Sequence, residues 1–291
     1  SFKDYALQLV GPLFQRVLER EGRRLLVLGA TSGDTGSAAI EGCRGLPGIE
    51  IVILYPEGAV SEVQRRQMTT VPDANVHAVA VRGTFDDCQR LVKQAFTTLG
   101  DRHPLGAVNS INWARIVAQS AYYAYWAQRL GRPVRFVVPT GNFGNVYAAH
   151  LARRMGAEIS KLVVANNANH GLADLVTTGV LRVSAVEHTF APAMDIQVPS
   201  NLERYLYEAV GESAGTIREM QDVLVRRGIL QLPAEVHARL REAFDAGWLT
   251  DADIVATIRR VHAERGIVLD PHTATAWASL HRSGVVRGLS G

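Results

Sequence analysis

Short apolar runs that end in tight turns and lead into helix-like segments recur along this chain, and that alternation restricts its possible folds more than any other feature. Leu25–Leu28 ends at Gly29, where Gly-Ala-Thr-Ser-Gly-Asp-Thr-Gly at 29–36 opens the helix-like Ser37–Gly42. Ile49–Tyr55 is closed by Pro56-Glu57-Gly58, and Val76–Val81 lies between helical patterns at Val63–Met68 and Asp86–Leu99. Ala114–Leu130 reads as a long helix stopped by Gly131. Val134–Val138 then runs into Pro139 and a second turn, Thr-Gly-Asn-Phe-Gly-Asn at 140–145, followed by a helix through Arg154 and the strand Lys161–Ala165. Repeated strand, turn and helix predict an α/β protein with parallel-rich twisted sheets flanked by crossover helices. After position 200 the pattern is mostly helical. The expected lobes are 1–129 and 130–291, divided after the long helix.

At 291 residues the chain is long enough to bury two cores. A net charge of +3 without an aromatic-interleaved basic cluster excludes nucleic acid as the expected partner. No stretch approaches the roughly 18 apolar residues of a membrane span, so no membrane partner is expected and the cytoplasm is the default location. Cys43 and Cys88 form no CxxC pair, and His77, His103, His170 and His188 show no ligand spacing, so neither a structural metal nor a disulfide framework is expected. Among 31 basic residues the lysines are Lys3, Lys93 and Lys161 alone, which narrows any search for a lysine with a chemical role. Lys93 lies in an amphipathic helical pattern and Lys161 precedes a strand, so both read as solvated.

Gly141-Asn142-Phe143-Gly144-Asn145 follows a strand and opens a helix, so its N–H groups suit an anion and its glycines permit close backbone approach. An ordinary βα turn is an equal reading of those residues alone. It is not a Walker loop, for no Gly-Lys-Ser/Thr follows. The 29–36 turn has glycine spacing G-x-x-x-G-x-x-G, which is not the dinucleotide fingerprint. Thr31, Ser32 and Thr35 supply hydroxyls and Gly33 free backbone, all suited to a carboxylate, while Ser32 or Asp34 could equally cap the next helix. Asn109-Ser110-Ile111-Asn112-Trp113-Ala114-Arg115 places two amides, a hydroxyl and an arginine at a helix start, a second anion-suited cluster, although from these residues alone Arg115 reads better as a plain surface arginine. His272, in Asp270-Pro271-His272-Thr273-Ala274-Thr275, reads as a packing or capping residue.

These segments together resemble the threonine synthase family, pyridoxal-phosphate enzymes of fold type II. The resemblance runs through Ser-Phe-Lys-Asp at the start, the 30–36 and 109–115 motifs, Val-Pro-Thr-Gly-Asn-Phe-Gly-Asn, Met194-Asp195-Ile196-Gln197-Val198-Pro199-Ser200-Asn201 and Asp270–Ala274. It implies pyridoxal 5'-phosphate as cofactor, with Lys3 as the Schiff-base residue and Asp34, Gly141, Asn142, Phe143, Gly144, Asn145 and Thr273 around it. Thr273 is preferred to Thr275 as the hydroxyl facing the pyridine nitrogen. It implies that Thr31, Ser32, Gly33 and Thr35 receive the substrate carboxylate, and that Asn109, Ser110 and Arg115 bind its phosphate. The implied reaction converts O-phosphohomoserine and water to L-threonine and phosphate, in a monomer or homodimer.

Against that family, the chain opens at Ser1, with Lys3 almost at its start, and reads as a piece lacking an upstream segment and a C-terminal end. Asn166-Asn167-Ala168-Asn169-His170-Gly171 departs from the Asn-Asp usual there. The competing readings are another fold-type-II lyase of the serine or threonine dehydratase kind, and a non-catalytic remnant of the fold.

Overall fold

The computed structural model describes residues 2–31, 33–100, 102–109 and 111–282. Its chain divides into two compact units, Ser1–Gln119 and Ser120–Gly291.

The first unit begins with helix α1 (Phe2–Glu21), which runs unbroken through Gly11-Pro12. Strand β1 (Leu25–Ala30), helix α2 (Asp34–Cys43), β2 (Ile49–Pro56), α3 (Glu62–Thr69), β3 (Val76–Val81), α4 (Phe85–Leu99) and β4 (Leu105–Ala107) follow, then α5 (Trp113–Leu130), whose second half enters the next unit. The strands form a parallel sheet in the order β3-β2-β1-β4. Its alternating buried apolar positions, Ile49, Ile51 and Ile53, pack with Val27, Ala38, Ala39, Ile40 and Met68. Helices α3 and α4 start at reciprocal capping boxes, Ser61 with Gln64 and Thr84 with Asp87. The chain passes from β1 outward to β2 and β3, then returns to lay β4 on the other side of β1. That reversal makes the carboxyl ends of β1 and β4 a topological switch point, the place at which open α/β sheets bind their ligands.

The second unit contains β5 (Val134–Pro139), α6 (Gly144–Arg154), β6 (Ile159–Asn166), α7 (Gly171–Thr178), β7 (Val180–Arg182), α8 (Leu202–Ala209), α9 (Ala214–Arg227), β8 (Ile229–Gln231), α10 (Ala234–Ala243), β9 (Phe244–Trp248), α11 (Asp251–Arg265) and α12 (Pro271–Arg282). Strands β5, β6 and β9 make a parallel sheet in that order, while β7 and β8 pair antiparallel. Its core gathers Leu162, Val163, Val164, Phe143 and Phe244, all essentially inaccessible to solvent.

The expected α/β class with parallel sheets is what forms. The region after 200 is mostly helical, as expected, and β9 within it completes the second sheet with Phe244 beside Leu162. Phe-Asp-Ala-Gly-Trp contains no β-branched residue and follows a helix directly, so pairing with β6 overrides its weak strand propensity. Among the described residues, no helix is long and apolar enough to cross a membrane, and no group of three or more His, Cys, Asp or Glu could hold a metal ion. Cys43 and Cys88 are buried free thiols, and burial pushes the Cys43 thiol up to about 11.

Candidate active site

The first unit brings two of the anticipated clusters to one end of its sheet. Residues 31–36 leave the carboxyl end of β1, and residues 108–112 leave that of β4 beside it. Thr31 is buried, and its hydroxyl accepts the N–H groups of Gly33 and Gly36 at 3.0 and 2.9 Å while donating to the Gly33 carbonyl at 2.9 Å. This hydroxyl therefore folds the turn. Gly33 adopts φ 155°, ψ −114°, a region open essentially only to glycine. Thr31 thus takes one N–H at the start of α2, and Gly33 at the N-cap brings no side chain to the others. The Asp34 side chain and Ser32, the two capping candidates, lie outside the described residues, as does Ser110.

At the other loop Asn112 is the cap, its Oδ1 accepting the Arg115 N–H at 3.2 Å and its Nδ2 donating to the Ala107 carbonyl at 2.8 Å. Asn109 Oδ1 accepts the Ile111 N–H at 3.1 Å. Arg115 is only 4% exposed, not a surface arginine, and its Nη1 donates to the Asn109 carbonyl at 3.1 Å. A buried guanidinium anchored to the loop is a fixed planar donor group, of the kind suited to phosphate.

Lys3 lies in the first turn of α1, half-buried. Its helix is held against α2 by a contact between glycine backbones. A Cβ at Gly11 would collide with the Gly42 carbonyl and reach Leu46 Cδ1 at 3.1 Å, and one at Gly42 would lie 2.5 Å from the Leu7 carbonyl. Leu7 lies against Gly42 and Gly11 against Leu46, so the two helices run in the same direction and Lys3 and the start of α2 sit toward the same end. Spacing did not mark Gly11 or Gly42, and neither belongs to a turn. Of the other lysines, Lys93 is exposed as expected. Lys161 is instead committed, donating to the Arg241 and Glu242 carbonyls at 2.7 and 3.0 Å beside Asp245. There it caps the end of α10.

In the second unit, residues 140–143 turn from the end of β5 into α6. Thr140 is anchored by its N–H to Ala165 and by its carbonyl to Asn166 Nδ2 at 2.7 Å. Phe143 occupies the N-cap in the left-handed conformation, φ 64°, ψ −7°, with its ring packed on Phe244 and no side chain capping the helix. A left-handed residue followed by helical Gly144 turns successive N–H groups toward one concave side, an anion nest at the positive end of a helix dipole. Asn145, in the first turn, accepts a hydrogen bond from Tyr122 Oη. Gly141 faces a different constraint, since a Cβ there would stand 2.5 Å from the Ala193 carbonyl and 3.1 Å from Met194 Cα. Glycine is needed where the Pro192–Met194 turn crosses the loop.

Thr273 and Thr275 belong to the first turns of α12. Thr273 donates its hydroxyl to Asp270, and fully buried Thr275 donates to the Pro271 carbonyl at 2.9 Å. Burial raises the Asp270 carboxyl, but the Thr273 hydroxyl and N–H and neighbouring His272 outweigh it and hold it below the usual range. His272 accepts from the Ala193 N–H at 3.3 Å and meets Asp270 at 3.2 Å, a capping and packing role. Asn167 and Asn169, in the stretch that departs from the family pattern, bind Asp195 Oδ1 at 2.7 and 3.2 Å. A carboxylate at either position would face Asp195 as a like charge.

The model of the family described as pyridoxal-phosphate dependent enzyme matches residues 1–247. A threonine synthase of Pseudomonas aeruginosa is 45% identical over 279 residues, covering 94% of this chain and 60% of that protein. A crystal structure of pyridoxal-phosphate-bound threonine synthase from Brucella melitensis superposes with TM-score 0.93 at 43% identity, over 99% of this chain and 63% of that one. The yeast threonine synthase structure gives TM-score 0.88 at 38% identity, over 97% and 61%. The chain thus spans about three-fifths of the relatives it matches. With an uncapped anion nest at residues 141–145, a glycine-rich turn at the switch point and a family model covering most of its length, the chain belongs to the pyridoxal-phosphate dependent enzyme family.

Proposed function

We propose that this chain carries the cofactor and substrate residues of a threonine synthase, converting O-phosphohomoserine and water to L-threonine and phosphate. The observation that carries this reading is Arg115, buried and fastened to the Asn109 carbonyl at a loop separate from the 141–145 nest. A dehydratase needs one anion site for the cofactor phosphate and one for a carboxylate. It has no use for a second phosphate site.

The residues fit pyridoxal 5'-phosphate: the N–H groups of Phe143, Gly144 and Asn145 would hold its phosphate, and Lys3 would hold its aldehyde carbon. Asp34, Gly141 and Asn142 would belong to its surroundings, and Thr273, in preference to Thr275, would face its ring nitrogen. Bound there, the cofactor supplies the electron sink for carbanions at Cα and then Cβ. The protein orients the substrate. The carboxylate is held at the α2 start by Gly33, Thr35 and Ser32, with Thr31 shaping the turn. Arg115, Asn109 and Ser110 hold the phosphate until it leaves. Lys3, freed as an amine, moves protons between substrate carbons. Exclusion of bulk water until phosphate departs suppresses side reactions. The lobes 1–129 and 130–291, a cytoplasmic location and a monomer or homodimer complete the proposal.

The test is a phosphate-release assay on O-phosphohomoserine with pyridoxal phosphate supplied and threonine identified as product. Deamination of serine or threonine without turnover of phosphohomoserine would identify the dehydratase reading. No change in the visible spectrum on adding pyridoxal phosphate would identify the non-catalytic one.

A further inference from the structure

We propose that Ser200 and Asn201 are positioning residues for the cofactor phosphate, acting through Asn142; this rests on the reading of residues 141–145 as the phosphate loop. Asn201 clamps one oxygen twice. Its backbone N–H donates to the Asn142 carbonyl at 3.1 Å, and its Nδ2 donates to the same oxygen at 3.2 Å. Both lone pairs of that carbonyl are thereby engaged. In a trans peptide the N–H of the next residue points opposite to the carbonyl, so the clamp fixes the Phe143 N–H away from Asn201. Phe143 is the left-handed residue that opens the nest, and its N–H is the first of the converging donors.

Ser200 acts on the side chain of the same residue. Its Oγ donates to Asn142 Oδ1 at 3.2 Å, which assigns the oxygen branch of the amide and turns Nδ2 away from Ser200. Among the described residues that Nδ2 meets no acceptor. One dipeptide thus sets two donors of the loop, a backbone N–H and a side-chain amide.

Asn201 is built for this task at the expense of an ordinary one. It occupies the N-cap of α8, where an asparagine oxygen usually accepts a helix N–H, yet it makes no such cap. Its Oδ1 instead accepts from Arg204 Nε at 3.1 Å, which turns Nδ2 toward the loop. The side chain is fully buried, so the pair cannot trade partners with water.

The experiment compares the affinities of pyridoxal phosphate and pyridoxal by absorbance titration of the parent, Asn201→Asp and Ser200→Ala. Pyridoxal has the same ring and aldehyde and lacks the phosphate. Asn201→Asp replaces the donor by an oxygen facing the carbonyl; it should weaken pyridoxal phosphate about ten-fold and leave pyridoxal unchanged. Ser200→Ala, at an exposed position, should show the same selectivity at about three-fold and decides the matter if Asn201→Asp does not fold. Equal weakening of both ligands, or unchanged preference for the phosphate in a folded variant, would overturn the proposal. A parent that binds the two ligands equally would overturn the phosphate-loop reading itself.

Discussion

Gly11 and Gly42 meet backbone to backbone, and no side chain separates α1 from α2 at that point. The contact sets how near the helix bearing Lys3 lies to the helix whose start faces the switch point. Gly11 costs α1 up to about 1 kcal/mol relative to alanine, and Pro12 deprives the Gln8 carbonyl of its helical donor. Both are tolerated because the close packing outweighs them. Gly11→Ala should therefore destabilise the protein by about 1–3 kcal/mol through overpacking, despite the better helix former. Gly215→Ala, in α9 with open space around its Cβ, should instead be neutral or stabilising by up to about 1 kcal/mol. Urea midpoints of the two variants measure the contrast, and a neutral Gly11→Ala would refute the backbone contact.

Lys3 should be the lysine that holds the cofactor. Lys161 is spent on two carbonyls at the end of α10 and Lys93 is exposed on α4. Borohydride reduction of the cofactor-loaded protein, followed by peptide mapping, should place the label on Lys3. Label on either other lysine would sink the assignment.

What the sequence disclosed and what it hid have different physical origins. Glycine turns between an apolar run and a helix are local, so the strand ends, the 29–36 turn and the 140–145 loop were legible from spacing. At the α2 start the hydroxyls stood out locally but not the role of Thr31, which reaches forward to the Gly36 N–H while the N-cap position falls to Gly33. Long-range contacts left no such mark. Strand β9 is made by its neighbour β6, and the Gly11–Gly42 approach depends on a helix crossing that no periodicity encodes. The 194–201 segment stood out by resemblance alone. Its work, crossing Gly141 and clamping Asn142, appears only once 59 residues of separation are folded away.

Arg115 should discriminate for a phosphorylated substrate. A charged hydrogen bond contributes about 1.5–3 kcal/mol, so Arg115→Ala should lower kcat/KM for O-phosphohomoserine about ten-fold or more. Arg115→Lys should recover only part, since a point charge cannot reproduce a planar guanidinium anchored to the Asn109 carbonyl. Pyridoxal-phosphate affinity should persist in both variants, because the 141–145 nest is a separate set of donors. Loss of cofactor and substrate binding together would show that Arg115 supports the fold instead.

Stability should fall as pH drops through the range in which an unfolded histidine takes up a proton. His150 on α6 is largely buried, which pushes its imidazole below the ordinary value; Glu208 opposes that shift, and Arg154 and Arg153 add to it. Its Nε2 meets Glu208 Oε2 at 3.1 Å, while buried Nδ1 has no partner among the described residues. The remaining groups facing it are Tyr147, which donates to Glu208 Oε1 at 2.5 Å, and Tyr205, whose hydroxyl burial pushes up to about 12. A second proton on the ring would therefore sit at a buried nitrogen without an acceptor. Below about pH 6.5 the unfolded chain binds that proton and the folded one resists it, so stability present at neutral pH is lost progressively toward acid. His150→Gln retains a donor for Glu208 and cannot titrate. Urea midpoints at pH 5 and pH 7.5 should differ more in the parent than in His150→Gln. An equal difference in both would show that His150 stays as easily protonated in the folded protein as in the unfolded chain.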